Sequence, residues 1–159
     1  MFLVIDTLFI YRILICFLST DIDDWVADPK TGKKYLILET PTLNHDINQK
    51  TCKKYNGHLP EPKNEHDNLF LNSLGTETFL LGINDKRVDG QWVFDSDGSI
   101  VTWDSWFVDV KRNGNCAFMA RNYYSHRPQD WDKIPCTSTA YDALPKALIC
   151  QKHTGEGII

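Results

Sequence analysis

Apolar residues along the chain gather into short blocks separated by turn-forming pairs, and the clearest alternation runs from Thr78 to Trp106. Asp89-Gly90 and Asp97-Gly98 each stand there between apolar runs, and three of the five tryptophans, Trp92, Trp103 and Trp106, fall in the same stretch. Asp-Gly tolerates the positive φ of tight hairpin turns, so the order apolar, turn, apolar, turn, apolar predicts a β-meander. Leu80-Leu81-Gly82-Ile83 is a continuous apolar run that fits a strand buried on both faces, with Gly82 marking a close backbone approach.

On either side of this meander the pattern changes period. A polar loop, Asp21 to Gly32, enters a first strand at Lys33 to Glu39. Thr42 or Asn44 can cap a helix running to about Tyr55 and closed by Gly57 after Asn56, which places Cys52 on a helix. A second helix is expected from near Pro62 to Gly75, with Leu69, Phe70, Leu71 and Leu74 as its apolar side. Asp104 to Asn115 has no clear period and reads as a long irregular loop, the kind of segment that often carries function. Asn115 to Arg121 and Lys146 to Lys152 read as strands with one cysteine each. Two helices followed by a strand-rich half predict an α+β fold.

The ordered motifs resemble those of a C-type lectin-like domain. They stand here as Leu80-Leu81-Gly82-Ile83, Gly90-Gln91-Trp92-Val93-Phe94, Asp97-Gly98-Ser99, Trp103, Cys116, Trp131 to Cys136, and Ile149-Cys150. Cys52 ahead of Gly57-His58-Leu59 extends the match, which covers roughly Trp25 to Lys152. Each motif alone is weak, but their order is specific. The resemblance implies two helices and antiparallel sheets with a long irregular loop region and two disulfides. Lys34 stands where longer relatives carry a cysteine before Tyr35, so the chain is similar to the short form.

Composition narrows the class. With 159 residues there is room for one domain, and the 42% hydrophobic and 24% charged shares are those of a globular protein. A net charge of -4 argues against nucleic acid as a partner. Residues 1–20 are mostly apolar but interrupted by Asp6 and Arg12, and the longest unbroken run, Ile13 to Leu18, is six residues. We read them as a secretory signal, with a membrane anchor or a misassigned start as the other readings; a spanning helix would carry Arg12 near its middle at a cost of about 2.5–3.5 kcal/mol. The domain then occupies 21–152, and 153–159 form a flexible tail. Removing the leader removes Cys16 and leaves four cysteines, an even count that fits a secreted protein. Spacing permits three pairings. The resemblance selects Cys52 with Cys150 and Cys116 with Cys136.

Sugar-binding members of the family hold a calcium ion through Glu-Pro-Asn in the long loop, a Glu before the third core cysteine, and the Asn-Asp of Trp-Asn-Asp. Calcium takes six to eight oxygen ligands, so such groups must converge. Carried over by position, Glu-Pro-Asn falls at Phe107-Val108-Asp109, the following Glu near Gly114, and Asn-Asp at Asp132-Lys133. Only Asp109 and Asp132 can offer oxygen there. A unit charge 4 Å from Lys133 would interact by about 4 kcal/mol at an effective dielectric of 20, and a divalent ion by twice that. Calcium is therefore not expected at the usual sugar site. Lys133 itself either bridges Asp109 and Asp132 in the ion's place or stands as a solvated surface lysine. Glu61-Pro62-Lys63-Asn64 superficially recapitulates Glu-Pro-Asn but reads as a helix start.

Other chemistry is thin. The five histidines show no zinc spacing, and neither a Gly-x-Ser-x-Gly elbow nor a Cys-His pair points to an enzyme. Trp106, Phe107, Asn115, Tyr123 and Tyr124, together with Asp109, Asp132 and Lys133, are the candidate ligand-binding residues, with Arg121 and Arg127 nearby in sequence. Aromatic rings bind apolar sugar faces and also anchor protein interfaces. Trp92, Trp103 and Trp131 are assigned to the core. The expectation is a secreted, non-enzymatic carbohydrate binder, weakly dependent on calcium or independent of it, with a protein-binding module that has lost both calcium and sugar as the alternative. With no coiled-coil neck, a monomer or simple dimer is expected.

Overall fold

A computed structural model describes residues 24–75, 77–107, 113–119, 130–137 and 146–152. Nine elements lie in them: β1 (Val26–Ala27), β2 (Lys34–Glu39), α1 (His45–Lys54), α2 (Glu65–Leu74), β3 (Phe79–Asn84), β4 (Val93–Phe94), β5 (Cys116–Met119), β6 (Trp131–Ile134) and β7 (Ala147–Lys152). The strands form two antiparallel sheets, one ordered β1-β2-β7 and one ordered β4-β3-β5-β6. This is the α+β arrangement expected, with the last strand returning beside the first long one.

The loop expected at 21–32 is partly ordered as a hairpin. β1 pairs with β2, and the turn between them is held by Asp28, whose carboxylate accepts from the Lys30 amide at 2.9 Å, Thr31 Oγ1 at 2.7 Å and His66 Nε2 at 2.8 Å. Burial alone would raise the pKa of Asp28, but these bonds more than offset it and hold the group at about 2.

α1 starts as its cap predicts. The Asn44 side chain accepts from the Ile47 amide, and Thr42 Oγ1 accepts from the Asn44 amide. Its end differs in one respect: Asn56, at φ +56°, takes the left-handed turn rather than Gly57. Gly57 serves the packing instead, because a Cβ there would lie 2.9 Å from the Gln151 carbonyl oxygen and 3.6 Å from Cys150 Cβ. α2 begins three residues beyond Pro62, where Asn64 caps the Asp67 amide at 2.9 Å. Its inward face is more polar than predicted: Asp67, Asn68 and Leu71 are buried, while Leu69 is exposed. Asp67 repays its burial through Lys33 Nζ at 2.6 Å, and Asn68 through the Trp131 indole.

The meander is present but narrower than its pattern suggested. β3 pairs with β4, and the third run contributes an isolated bridge, Val93 to Ile100, around a turn in which Gly98 sits at φ +70° and donates to the Phe94 carbonyl. β3 lies between β4 and β5 and is buried on both faces. Leu80 joins a cluster with Leu36, Leu59, Phe118 and both disulfides; Phe79, Leu81 and Ile83 join a second with Leu71, Met119 and Trp131. Cys52 pairs with Cys150 and Cys116 with Cys136, as the resemblance implied. The first closes 98 residues, worth about 4–5 kcal/mol by loop entropy.

Gly82 is the close approach its place in the run suggested. A Cβ there would stand 2.7 Å from the Leu59 carbonyl oxygen and 3.0 Å from Glu61 Cγ. That clearance lets 59–61 cross β3, with the Gly82 amide donating to the Pro60 carbonyl at 2.7 Å. Glu61 is thereby fully buried, and its carboxylate accepts from the Ser96 amide and hydroxyl, each at 2.7 Å. Burial pushes Glu61 up to about 6 although both Ser96 bonds pull the other way.

Because the folded pKa of Glu61 lies above its ordinary 4.5, the folded protein holds a proton that the unfolded chain releases across that interval. The contribution is fully present below about pH 4.5 and lost as pH rises through about 6, amounting to about 2 kcal/mol. Glu61→Gln is expected to flatten this segment of the stability profile. Urea midpoints at the two ends of the window check it, and an unchanged slope in the variant would assign the proton elsewhere.

Candidate functional site

Trp131 on β6 is the floor of the site. It is fully buried, and its indole Nε1–H donates to Asn68 Oδ1 at 2.7 Å, which satisfies the donor that burial would otherwise strand. Its backbone holds the start of the long loop in place: the Trp131 amide donates to the Ser105 carbonyl at 2.8 Å, and the Phe107 amide donates to the Trp131 carbonyl at 2.9 Å. Ser105 to Phe107 therefore lies along β6 by backbone bonds.

This placement stacks the indoles. Trp103 and Trp106 both meet Trp131 edge to face, with ring centroids 5.7 and 5.5 Å away, the arrangement that aromatic quadrupoles favour. Trp106 then leans on Trp92, centroids 4.6 Å apart. Trp92, assigned to structure from the sequence, thus belongs to the same group as the candidate Trp106. Beside the pair opens a hollow of about 620 Å³ lined by Asp89, Gly90, Gln91, Trp92, Ile100, Val101, Asp104 and Trp106. The hairpin supplies one wall and the start of the long loop the other.

Lys133 also comes to this pair. Its ammonium lies 5.5 Å from the Trp92 ring centroid and 6.0 Å from that of Trp106, a cation–π contact on two indoles. Asp109, one side of the bridge to Asp109 and Asp132 considered from the sequence, lies outside the described residues. Asp132 is buried on β6, and its Oδ1 accepts from the Lys133 amide at 2.7 Å.

Asn115 stands on the far side of β3, at a second hollow of about 610 Å³ bordered by Asp46, Lys86, Pro135 and Thr137. Its carboxamide donates to Asp85 Oδ1 at 2.9 Å, while Asp85 Oδ2 accepts from the Gly90 amide at 2.9 Å. Asn115 therefore braces the turn that borders the first hollow. Asp109, Tyr123 and Tyr124, with Arg121 and Arg127, lie outside the described residues.

Of the positions carried over for a calcium ion, Val108 and Asp109 lie outside the described residues. Phe107 offers no side-chain oxygen, and Gly114 has no room for a ligating side chain: a Cβ there would clash with the Ile134 carbonyl and stand 2.6 Å from the Pro135 nitrogen. Lys133 brings an ammonium in place of a ligand. No three His, Cys, Asp or Glu side chains among the described residues converge as a metal would need.

Sequence reasoning missed Asp89, Gln91, Asp104 and Ile100. The signal available was their place on the two sides of the Trp92 to Trp106 hairpin, but which residues share a hollow depends on how the turns fold back.

Comparison with known proteins supplies a family frame. The family model described as the lectin C-type domain matches residues 42–152. Among solved structures, the cow C-type carbohydrate-recognition domain of CD23, determined in the presence of a GlcNAc2Man3 oligosaccharide, superposes with a TM-score of 0.65 at 16% identity, covering 82% of this chain and 93% of that one. A calcium-independent type II antifreeze protein gives 0.64 at 21% identity, covering 81% and 91%. Human lithostathine gives 0.64 at 18% identity, covering 82% and 97%.

Two outcomes are expected from this geometry. Lys133→Ala should cost about 0.5–1 kcal/mol and change the tryptophan emission of the folded protein, with Lys133→Arg near wild type in both; unchanged emission in the alanine variant would remove the cation–π contact. Millimolar calcium should leave the melting temperature unchanged, since an ion that does not bind the native state cannot stabilise it. A rise of several degrees would place a calcium site on residues beyond those described.

Proposed function

The chain belongs to the C-type lectin domain family, and from that premise we propose that it is a secreted carbohydrate-binding protein that depends weakly or not at all on calcium. The observation that carries this reading is the Trp92–Trp106 pair, which with Ile100 and Val101 forms the apolar part of a hollow whose remaining side chains, Asp89, Gln91 and Asp104, are polar. An indole packs against the apolar C–H face of a sugar ring, while hydroxyls on the ring edge need acceptors and donors. Asp89, Asp104 and Gln91 offer them beside the indoles. Affinity then comes from stacking and hydrogen bonds, with no ion required to hold the hydroxyls.

Related structures support both halves of the proposal: one was determined in the presence of an oligosaccharide, and another is named as calcium-independent. Two disulfides suit an oxidising, extracellular compartment. No helix among the described residues is long and apolar enough to cross a membrane. A second reading, a protein-binding module, is favoured by Ile100, which lines the hollow, and by Val88, next in sequence to its lining residue Asp89, both more than half exposed. No enzymatic role is proposed.

The test is a glycan array on the oxidised protein, run with millimolar calcium and again with EDTA, beside a Trp106→Ala variant shown to melt cooperatively. Binding that survives EDTA and falls at least tenfold in the variant, about 1.4 kcal/mol, is the expected result. Binding lost in EDTA would overturn the metal-free mode. An empty array in both arms, with a folded protein, would move the assignment to a protein ligand.

A further inference from the structure

We propose that the Trp92–Trp106 hollow selects uncharged, hydroxyl-rich glycans and rejects sulfated or carboxylated ones. This rests on the carbohydrate reading above and specifies its ligand class. The argument begins with the two acidic residues of the lining, Asp89 and Asp104, which are exposed at opposite walls. Among the described residues neither carboxylate has a hydrogen bond or ion pair, whereas Asp28, Asp46, Asp67, Asp85 and Asp95 are all engaged by side chains. Two free acceptors facing one hollow suit a ligand that arrives with O–H donors.

Among the described residues, no cation lines the hollow to change that balance. Lys133, the basic group in contact with its indoles, lies over the rings of Trp92 and Trp106 without joining the lining, and Lys86 is held by Asp46 at 3.1 Å on the other side of the turn. An anionic substituent in the hollow would meet two carboxylates and, among the described lining residues, find no guanidinium or ammonium to pair with. At separations of about 6 Å in a partly exposed site, repulsion of this kind amounts to about a tenfold loss of affinity, and more at low salt. A neutral ring carries no such penalty and keeps both acceptors occupied.

The experiment uses the full chain and pairs of array glycans that differ by one sulfate or one carboxylate, read at low salt, beside an Asp89→Asn/Asp104→Asn variant. Neutral members bound at least tenfold more tightly than their acidic partners, with the gap narrowing to about threefold or less in the double variant, is the expected result. Both aspartates are exposed, and a matching melting temperature confirms that the variant is folded. Acidic glycans bound as well as or better than their neutral partners by the wild type would overturn the charge selection and leave the lectin reading standing. A gap that persists unchanged in the double variant would also overturn it, by placing the selection on other residues. An empty array from a folded protein would overturn both readings together.

Discussion

A four-stranded sheet that is apolar on both faces must be covered twice, and the rest of this structure follows from that requirement. β3 is central to it, with Leu80 turned to one side and Phe79, Leu81 and Ile83 to the other. One cover is built from α1 and the β2–β7 pair and is cross-linked by Cys52–Cys150, while Cys116–Cys136 ties β5 to the end of β6 beneath it. The other uses α2 and the tryptophan-rich segment, with Trp131 beneath. Gly82 reconciles the crowding, because its missing side chain is the space through which 59–61 passes to bring Glu61 to the Ser96 turn. A chain too short for a large core thus obtains rigidity from cross-links on one face and from interlocking indoles on the other.

The candidate site is the outer edge of the second cover. Trp103, Trp106 and Trp92 cannot all bury themselves beneath a short hairpin, so the group tapers from the fully buried Trp131 to the half-buried Trp92–Trp106 pair. The rings that pack against the core therefore also border the hollow. The tight seating of Gly114 against Ile134 and Pro135 belongs to the same economy, since backbone packing occupies the space that a ligating side chain would need. Lys133 completes the change by spending its charge on the indoles.

Some of this was legible in the residues and some was not. The cap at Asn44, the buried run at β3, the clearance at Gly82 and the Gly98 turn each depend on neighbours within a few positions or on one residue's own steric character, and each appeared as read. Boundaries that depend on distant partners shifted. α2 begins at the Asn64 cap rather than at Pro62, and its inward face accepts Asp67 and Asn68 because Lys33 and the Trp131 indole, remote in sequence, supply their partners. Leu69, apolar and on the expected stripe, faces outward for the same reason.

The residues alone determined the class of fold and the cysteines available for two cross-links, because these follow from residue types at fixed spacings. Tertiary structure decided the rest. Whether Trp92 belonged to core or site, where the Lys133 ammonium went, and that Asp89 and Asp104 border one hollow all depend on how the hairpin and the loop start fold toward each other. No spacing along the chain encodes that distance. It is set by the backbone bonds that tie Ser105 and Phe107 to Trp131, and by the burial of an indole whose hydrogen-bond partner lies 63 positions away.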